Sequence, residues 1–211
     1  MTPLQGHTGR GVVLRRSDVD TDQIIPAEFC KRLTKSGYQD ALFAEWRKDP
    51  TFVLNQPQRA HASVLVAGHN FGTGSSREHA VWALRDSGFM VVIATSFGDI
   101  FRRNALNNGV LAIELPEAGV AELADRVDAD PHVEITADLV NLEVRTDELR
   151  YGFTMNERTR WLLLNGLDEI AVTLEKAEAI SAHENTRRPW LPTIAPTPPM
   201  PARNLLIEVR S

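Results

Sequence analysis

The stretch from Ser63 to Leu115, SVLVAGHNFGTGSSREHAVWALRDSGFMVVIATSFGDIFRRNALNNGVLAIEL, decides the fold of this chain. It begins with a short apolar run, Ser63 to Ala67, that predicts a buried strand. After a loop with two glycines, the pattern Ser-x-x-Glu at 75–78 predicts a capping box and a helix from Ser76 to Asp86. Phe89 to Ala94 predicts the next strand. This order predicts a right-handed crossover between two parallel strands.

The glycine loop, His69 to Gly74, is expected at the carboxyl edge of the sheet, where open α/β folds bind their ligands. Gly72 and Gly74 allow a ligand to approach the backbone, and the free N–H groups of the following helix favour an anion. Arg77 adds a planar guanidinium that can hold a carboxylate through two parallel hydrogen bonds. The spacing matches neither a Walker loop, nor a dinucleotide fingerprint, nor a hydrolase elbow. We therefore predict a carboxylate site.

The remaining periodic segments complete an α/β pattern. A helix is predicted over Gln39 to Lys48 in the long segment after the first strand, and another over Asp168 to His183. Three short strands are predicted after residue 130, and together they indicate a small antiparallel layer. The other predicted elements are strands at Gly11–Leu14, Val110–Leu115, Val133–Ile135, Leu139–Arg145 and Arg150–Phe153, and helices between Ser96 and Gly109, over Glu117–Val127, and between Asn156 and Gly166.

Composition restricts the class of protein. With 211 residues and a net charge of −5, the chain can bury one core, and it lacks the basic surface that nucleic-acid binding requires. No apolar run approaches the length of a membrane span, and Met1 to His7 lacks a signal core, so we expect a cytoplasmic protein. We expect one domain over 1–184 and, because six prolines follow Asn185, a proline-rich tail over 185–211.

No metal site is predicted on this chain. The single cysteine, Cys30, can neither form an internal disulfide nor supply the thiolates of an iron–sulfur cluster, and it is expected to pack as a small hydrophobe. The aspartates within Asp18–Asp22 do not have EF-hand spacing and are predicted to be turn and cap residues. His69 is predicted to line the pocket, and His79 to make structural hydrogen bonds.

Three motifs resemble one protein family. The segment 71–80 reads Phe-Gly-Thr-Gly-Ser-Ser-Arg-Glu-His-Ala, 96–101 reads Ser-Phe-Gly-Asp-Ile-Phe, and 20–26 reads Asp-Thr-Asp-Gln-Ile-Ile-Pro. Together they resemble the small subunits of 3-isopropylmalate dehydratase, the separate-chain form of the swivelling domain of the aconitase superfamily. The similarity extends from Gly11 to Ala182. It implies an α/β fold, a three-layer β/β/α swivelling domain with a mostly parallel central sheet and a smaller antiparallel layer.

The resemblance also implies a chemistry. It describes a hydro-lyase of leucine biosynthesis that isomerises 2-isopropylmalate to 3-isopropylmalate through isopropylmaleate, with a [4Fe-4S] cluster on a large partner subunit acting as Lewis acid on the substrate hydroxyl. Ser75 matches the family's base; a plain N-cap is the alternative for a serine there, and the Gly-Ser-Ser-Arg string favours the catalytic role. Ser76 would position the dicarboxylate substrate, and Arg77, with Gly72 and Gly74, would bind it.

Two questions stay open at this point. In the family, the region after the first strand includes a loop that closes over the substrate side chain, which predicts a recognition loop here; an interface or surface loop is the alternative. A small subunit of homoaconitate or methylmalate type would keep the chemistry and change the acid, whereas a stand-alone carboxylate-binding module would have no iron–sulfur partner. The predicted recognition loop consists of Phe29, Cys30, Lys31, Arg32, Leu33 and Thr34.

Overall fold

The computed structural model describes residues 2–75, 77–188 and 190–191. Within this part of the chain, seven strands form one sheet in the order β4-β3-β2-β1-β5-β6-β7. The strands are β1 (Gly6–Leu14), β2 (Ala62–Ala67), β3 (Val91–Ala94), β4 (Leu111–Glu114), β5 (Glu134–Asp138), β6 (Glu143–Arg145) and β7 (Arg150–Gly152). The α-helices are α1 (Thr21–Ile24), α2 (Glu78–Asp86), α3 (Asp99–Asn107), α4 (Glu117–Ala129), α5 (Glu157–Asn165), α6 (Glu169–Leu174) and α7 (Ala177–Asn185).

Strand β1 joins the parallel and antiparallel parts of the sheet. Its second half pairs in parallel with β2, its first half pairs antiparallel with β5, and the register shifts between Arg10 and Gly11. The pairs β2–β3 and β3–β4 are parallel, whereas β5–β6 and β6–β7 are antiparallel. The predicted α/β fold class is confirmed, and the small antiparallel part is continuous with the parallel strands through β1.

The central strands are buried on both faces. Val12, Leu65 and Val92 face a core that α2 and α3 cover, and the intervening residues face a second core that includes α4. Because helices cover both faces, these strands appear in the sequence as continuous apolar runs instead of alternating patterns. That double coverage leaves only the strand ends and their loops open to a ligand.

The predicted capping box at 75–78 is wrong. Helix α2 begins at Glu78, Arg77 is its N-cap with extended backbone angles, and no side chain in the described residues caps the first turn. The Glu78 carboxylate instead accepts a hydrogen bond from the Asn108 side chain at 2.7 Å. The carbonyl of Ser75 accepts a hydrogen bond from the Thr21 hydroxyl at 2.8 Å.

The predicted helix at Gln39–Lys48 is also wrong, since turns fill most of it and only Trp46–Lys48 forms a 3₁₀ helix. Phe43 adopts a left-handed φ of +49°, which a continuous helix cannot contain. Its N–H donates to the Ile24 carbonyl at 2.8 Å, and its buried ring stacks on Trp46 with centroids 5.2 Å apart. Tertiary contacts therefore override helix propensity here.

The predicted single helix at Asp168–His183 is two helices, because the chain leaves helical geometry at Lys176, whose N–H donates to the Thr173 carbonyl at 3.0 Å. The chain divides into a first unit that ends at Ala171 and a second that begins at Val172. The predicted boundary at 184/185 stays a prediction, and residues 189 and 192–211 of the predicted tail lie outside the described residues. Of the helices described, none is long and apolar enough to span a bilayer.

Two left-handed glycines allow a matched test of the packing beneath the glycine loop. A Cβ on Gly72, where φ is +74°, would lie 2.2 Å from Cγ of Phe101, whereas a Cβ on Gly88, where φ is +93°, would meet nothing within 4 Å. We expect Gly72→Ala to lower the free energy of unfolding by about 3 kcal/mol, from backbone strain plus overpacking, and Gly88→Ala by about 1 kcal/mol, from strain alone. Urea unfolding measures both, and equal losses would show that Phe101 moves aside without cost.

Candidate functional site

The glycine loop lies between the chain segments that follow β1 and β3. On the β3 side, the N–H of Phe71 donates to the carbonyl of Ser96 at 3.0 Å. On the β1 side, the N–H of Gly72 donates to the carbonyl of Val19 at 2.7 Å. The loop thus continues β2 beyond its carboxyl end as a paired strand segment, with bridges to both neighbours. Its position is set by backbone hydrogen bonds on two sides.

The two glycines of the loop have different surroundings. Gly72 is buried beneath Phe101, whose ring meets that of Phe71 edge-on at 5.3 Å, so the absence of a Cβ there serves packing. Gly74 is exposed and has a φ of +88°, which keeps the backbone accessible at the edge of the sheet. The substrate-binding role predicted for both glycines stays a prediction.

Ser75 and Arg77 follow the loop at the carboxyl edge. Ser75 is exposed, and its carbonyl accepts a hydrogen bond from the Thr21 hydroxyl at 2.8 Å. The Arg77 side chain is 20% exposed, and its Nη1 donates to the carboxylate of Asp22. This hydrogen bond raises the pKa of Arg77 above its ordinary value, so the guanidinium is charged throughout the physiological range. Ser76, also predicted to bind substrate, lies outside the described residues.

The aspartate segment before α1 confirms one prediction and adds a residue that sequence reasoning missed. Asp20 caps α1: its carboxylate accepts from the N–H of Gln23 at 2.8 Å, and the Gln23 side chain accepts from the N–H of Asp20 at 2.9 Å. That is the cap role predicted for this segment. Asp22, however, points away from the cap and pairs with Arg77, 55 residues along the chain. Local spacing carries no signal for such a pair.

The predicted recognition loop begins beside this ion pair. Phe29, Cys30 and Lys31 form part of a 3₁₀ helix, Ala27–Lys31, which ends before Arg32. Burial raises the pKa of the Cys30 thiol, while the charge of Arg77 lowers that pKa by a smaller amount. The thiol is therefore neutral at pH 7, as expected for a small packed side chain within electrostatic reach of the site.

The second half of this loop is held in place by an ion pair and a hydrogen bond. Arg32 makes a two-pronged ion pair with Asp40, at 2.7 and 2.6 Å. The buried Tyr38 donates its hydroxyl hydrogen to the carbonyl of Thr34 at 2.8 Å. Leu33, between these anchors, is fully exposed at 101%. The loop therefore holds an apolar side chain in solvent instead of burying it in the core.

The two histidines that flank the glycine loop differ in role. His69 lines a cavity of about 500 Å³ at the carboxyl ends of β1, β2 and β3, and its Nδ1 lies 2.8 Å from the Ser96 hydroxyl. His79 packs as a ring, with centroids 5.7 Å from Tyr38 and 4.7 Å from Trp82. In the part of the chain that the structure describes, no group of three or more His, Cys, Asp or Glu residues could hold a metal ion.

Comparison with known proteins places this chain in a family. A family model described as the Aconitase C-terminal domain matches residues 1–118, and one described as the C-terminal domain of the 3-isopropylmalate dehydratase small subunit matches residues 169–196. A relative from Acidothermus cellulolyticus named 3-isopropylmalate dehydratase small subunit is 58% identical over 193 residues, 92% of this chain and 98% of the relative. The chain belongs to the 3-isopropylmalate dehydratase small-subunit family.

Further members of the family agree with this placement. A 3-isopropylmalate dehydratase small subunit from Thermobifida fusca is 53% identical over 88% of this chain and 95% of its own length. A crystal structure of 3-isopropylmalate dehydratase from Methanocaldococcus jannaschii superposes with a TM-score of 0.61 at 28% identity, covering 84% of this chain and 98% of that one. The resemblance stated from the three motifs is confirmed.

The order of the recognition loop gives a second testable prediction. Tyr38→Phe removes the hydroxyl that donates to the Thr34 carbonyl, so we expect a loss of about 1 kcal/mol in stability and faster amide exchange over residues 30–37. Hydrogen–deuterium exchange measured by mass spectrometry tests this. Tyr151→Phe is the matched control, because the Tyr151 hydroxyl donates to Glu122 outside the loop. Unchanged exchange in Tyr38→Phe would contradict the assignment of Tyr38 as the anchor.

Proposed function

We propose that this chain is the small subunit of a 3-isopropylmalate dehydratase, a hydro-lyase that interconverts 2-isopropylmalate and 3-isopropylmalate through isopropylmaleate in leucine biosynthesis. One observation supports the proposal: in a member of this family, Ser75 is exposed and Arg77 is anchored by Asp22, and both follow the glycine loop at the carboxyl edge of the sheet. The relatives' shared name does not favour a homoaconitate or methylmalate type, nor a stand-alone binding module.

Ser75 is the proposed base. Dehydration of a hydroxyacid must remove a weakly acidic C–H hydrogen next to a carboxylate, and a serine hydroxyl is a poor acceptor for it at neutral pH. An alkoxide there needs nearby donors that are already oriented. The N-terminus of α2 is the proposed source, by the electrostatic principle of an oxyanion hole, because the N–H groups of residues 69 to 73 in the glycine loop already donate to other partners. The proton would move from the substrate carbon to Oγ of Ser75.

Arg77 is the proposed carboxylate clamp. Its Nη1 donates to Asp22, and the Nε and Nη2 edge can make two parallel hydrogen bonds to a substrate carboxylate. Gly74 is proposed to contribute a backbone contact, and Gly72 to contribute to binding by shaping the loop that presents Gly74. Ser76 is proposed to supply a hydroxyl that positions the substrate. These contacts bind and orient a dicarboxylate, which is the part of the reaction assigned to this chain.

A [4Fe-4S] cluster is proposed for the partner, the large subunit, and not for this chain. A cluster needs three or four thiolates, and the whole chain has one cysteine, so its residues do not fit the group. The active form is therefore proposed to be a heterodimer in which the large subunit brings the metal and this chain brings Ser75 and Arg77. Its proposed location is the cytoplasm, the compartment in which bacterial amino-acid biosynthesis takes place.

Reconstitution with the large subunit tests the base. We expect Ser75→Ala to lower kcat by about 10³-fold, because a positioned base contributes roughly 10²–10⁴-fold, while complex formation is unchanged. Ser87→Ala, at the other end of α2, is the matched control and should turn over normally, since the Ser87 hydroxyl is buried and makes no hydrogen bond within the described residues. Near-normal turnover by Ser75→Ala would reject the base assignment. Turnover of isopropylmalate by the isolated chain would reject the proposal that the large subunit is needed for activity.

The exposed Leu33 is the proposed contact for the substrate's isopropyl group. Losing an apolar contact of this size weakens discrimination between substrates about tenfold. We expect Leu33→Ala to lower kcat/KM about tenfold for 2-isopropylmalate and to change it little for a methylmalate, whose smaller side chain cannot reach. Competition kinetics between the two acids measures the ratio. An equal loss for both would assign Leu33 to the subunit interface instead.

A further inference from the structure

Helix α1 contacts both proposed functional residues through two consecutive side chains. The Thr21 hydroxyl donates to the Ser75 carbonyl at 2.8 Å, and the Asp22 carboxylate accepts from Nη1 of Arg77. Thr21 is buried at 2% exposure, whereas the Asp22 side chain is 53% exposed. Thr21 therefore contacts the backbone of the proposed base from the protein interior, and Asp22 binds the proposed clamp at the surface.

The helix is short but firmly placed. Its amino end carries the reciprocal capping box of Asp20 and Gln23. Its carboxyl end is anchored by Ile24 and Ile25, both fully buried in the core. The N–H of Thr21 also donates to the carbonyl of Thr73 at 3.0 Å, so α1 is joined to the glycine loop by its backbone as well. A support of this kind can fix the positions of the groups that it touches.

Both contacts leave the reacting groups free. Thr21 donates to the Ser75 carbonyl, so this contact does not occupy Oγ of Ser75. Asp22 takes Nη1 of Arg77, the position that leaves the Nε and Nη2 edge for a bidentate carboxylate. An unanchored arginine has about 2 kcal/mol of rotamer entropy to lose when it binds a ligand. Anchoring by Asp22 removes part of that loss before the ligand arrives.

We propose that Thr21 and Asp22 are positioning residues, Thr21 for the base Ser75 and Asp22 for the carboxylate clamp Arg77. The inference rests on the function proposed above and deepens it, because it predicts that the two residues control different kinetic constants. Arg77 would hold the substrate carboxylate in the ground state and the transition state alike, so Asp22 should govern KM. Ser75 acts only during proton transfer, so Thr21 should govern kcat.

The test uses the full chain reconstituted with the large subunit. We expect Asp22→Ala to raise KM for 2-isopropylmalate about tenfold and to change kcat less than about threefold, with Asp22→Asn in between because its amide oxygen still accepts a hydrogen bond. We expect Thr21→Val to lower kcat tenfold or more at nearly unchanged KM, with Thr21→Ser restoring kcat because it keeps the hydroxyl. Asp147→Ala is the matched control, since Asp147 pairs with Arg126 at 2.8 Å between α4 and the β6–β7 turn.

The outcomes separate the two proposals. An inactive wild-type complex would overturn the proposed function itself. An active wild-type complex in which Asp22→Ala and Thr21→Val behave like Asp147→Ala would overturn only the positioning roles. Urea unfolding and complex formation are measured for every variant, and a loss of activity that follows lost stability or lost assembly would likewise overturn them. Asp22 is half exposed, so Asp22→Ala keeps the test decisive if Thr21→Val does not fold.

Discussion

Backbone hydrogen bonding of the glycine loop to the segments after β1 and β3 is the constraint on which the candidate site depends. A loop that carries functional residues must be open to solvent, yet an open loop ordinarily loses conformational entropy whenever it adopts one geometry. Here the N–H groups of Phe71 and Gly72 are paired with carbonyls on opposite sides. Gly74 and Ser75, which follow this paired segment, are exposed beside a fixed stretch of backbone.

That pairing requires a strand arrangement in which β1, β2 and β3 are adjacent and parallel. Strand β1 also accepts β5 on its other side, which joins the antiparallel part to the same sheet. Helices cover both faces of the central strands, and the glycine loop lies at their carboxyl edge. The proposed carboxylate clamp and the proposed base consequently follow the same loop at one edge of one sheet.

The errors of sequence reasoning have a common cause. The Ser-x-x-Glu pattern at 75–78 predicts a capping box, but Arg77 is the N-cap of α2, and the Glu78 side chain accepts a hydrogen bond from Asn108. A helix was predicted around Phe43, but a contact with the Ile24 carbonyl turns its backbone to positive φ. In each case the deciding contact is made by a residue that is distant in the sequence. A local sequence pattern gives no information about such a contact.

The amino-acid sequence by itself determined the α/β class, the parallel strands around the glycine loop, the position of that loop at the carboxyl edge, and the family, because apolar periodicity, glycine spacing and a rare motif are local properties. Only the tertiary structure decided where α2 begins and that Asp22 anchors Arg77. It also decided that β1 pairs with β2 along one edge and with β5 along the other. The contacts that hold Ser75 and Arg77 join residues more than fifty positions apart, and their formation requires that the sheet has already brought the strand ends together.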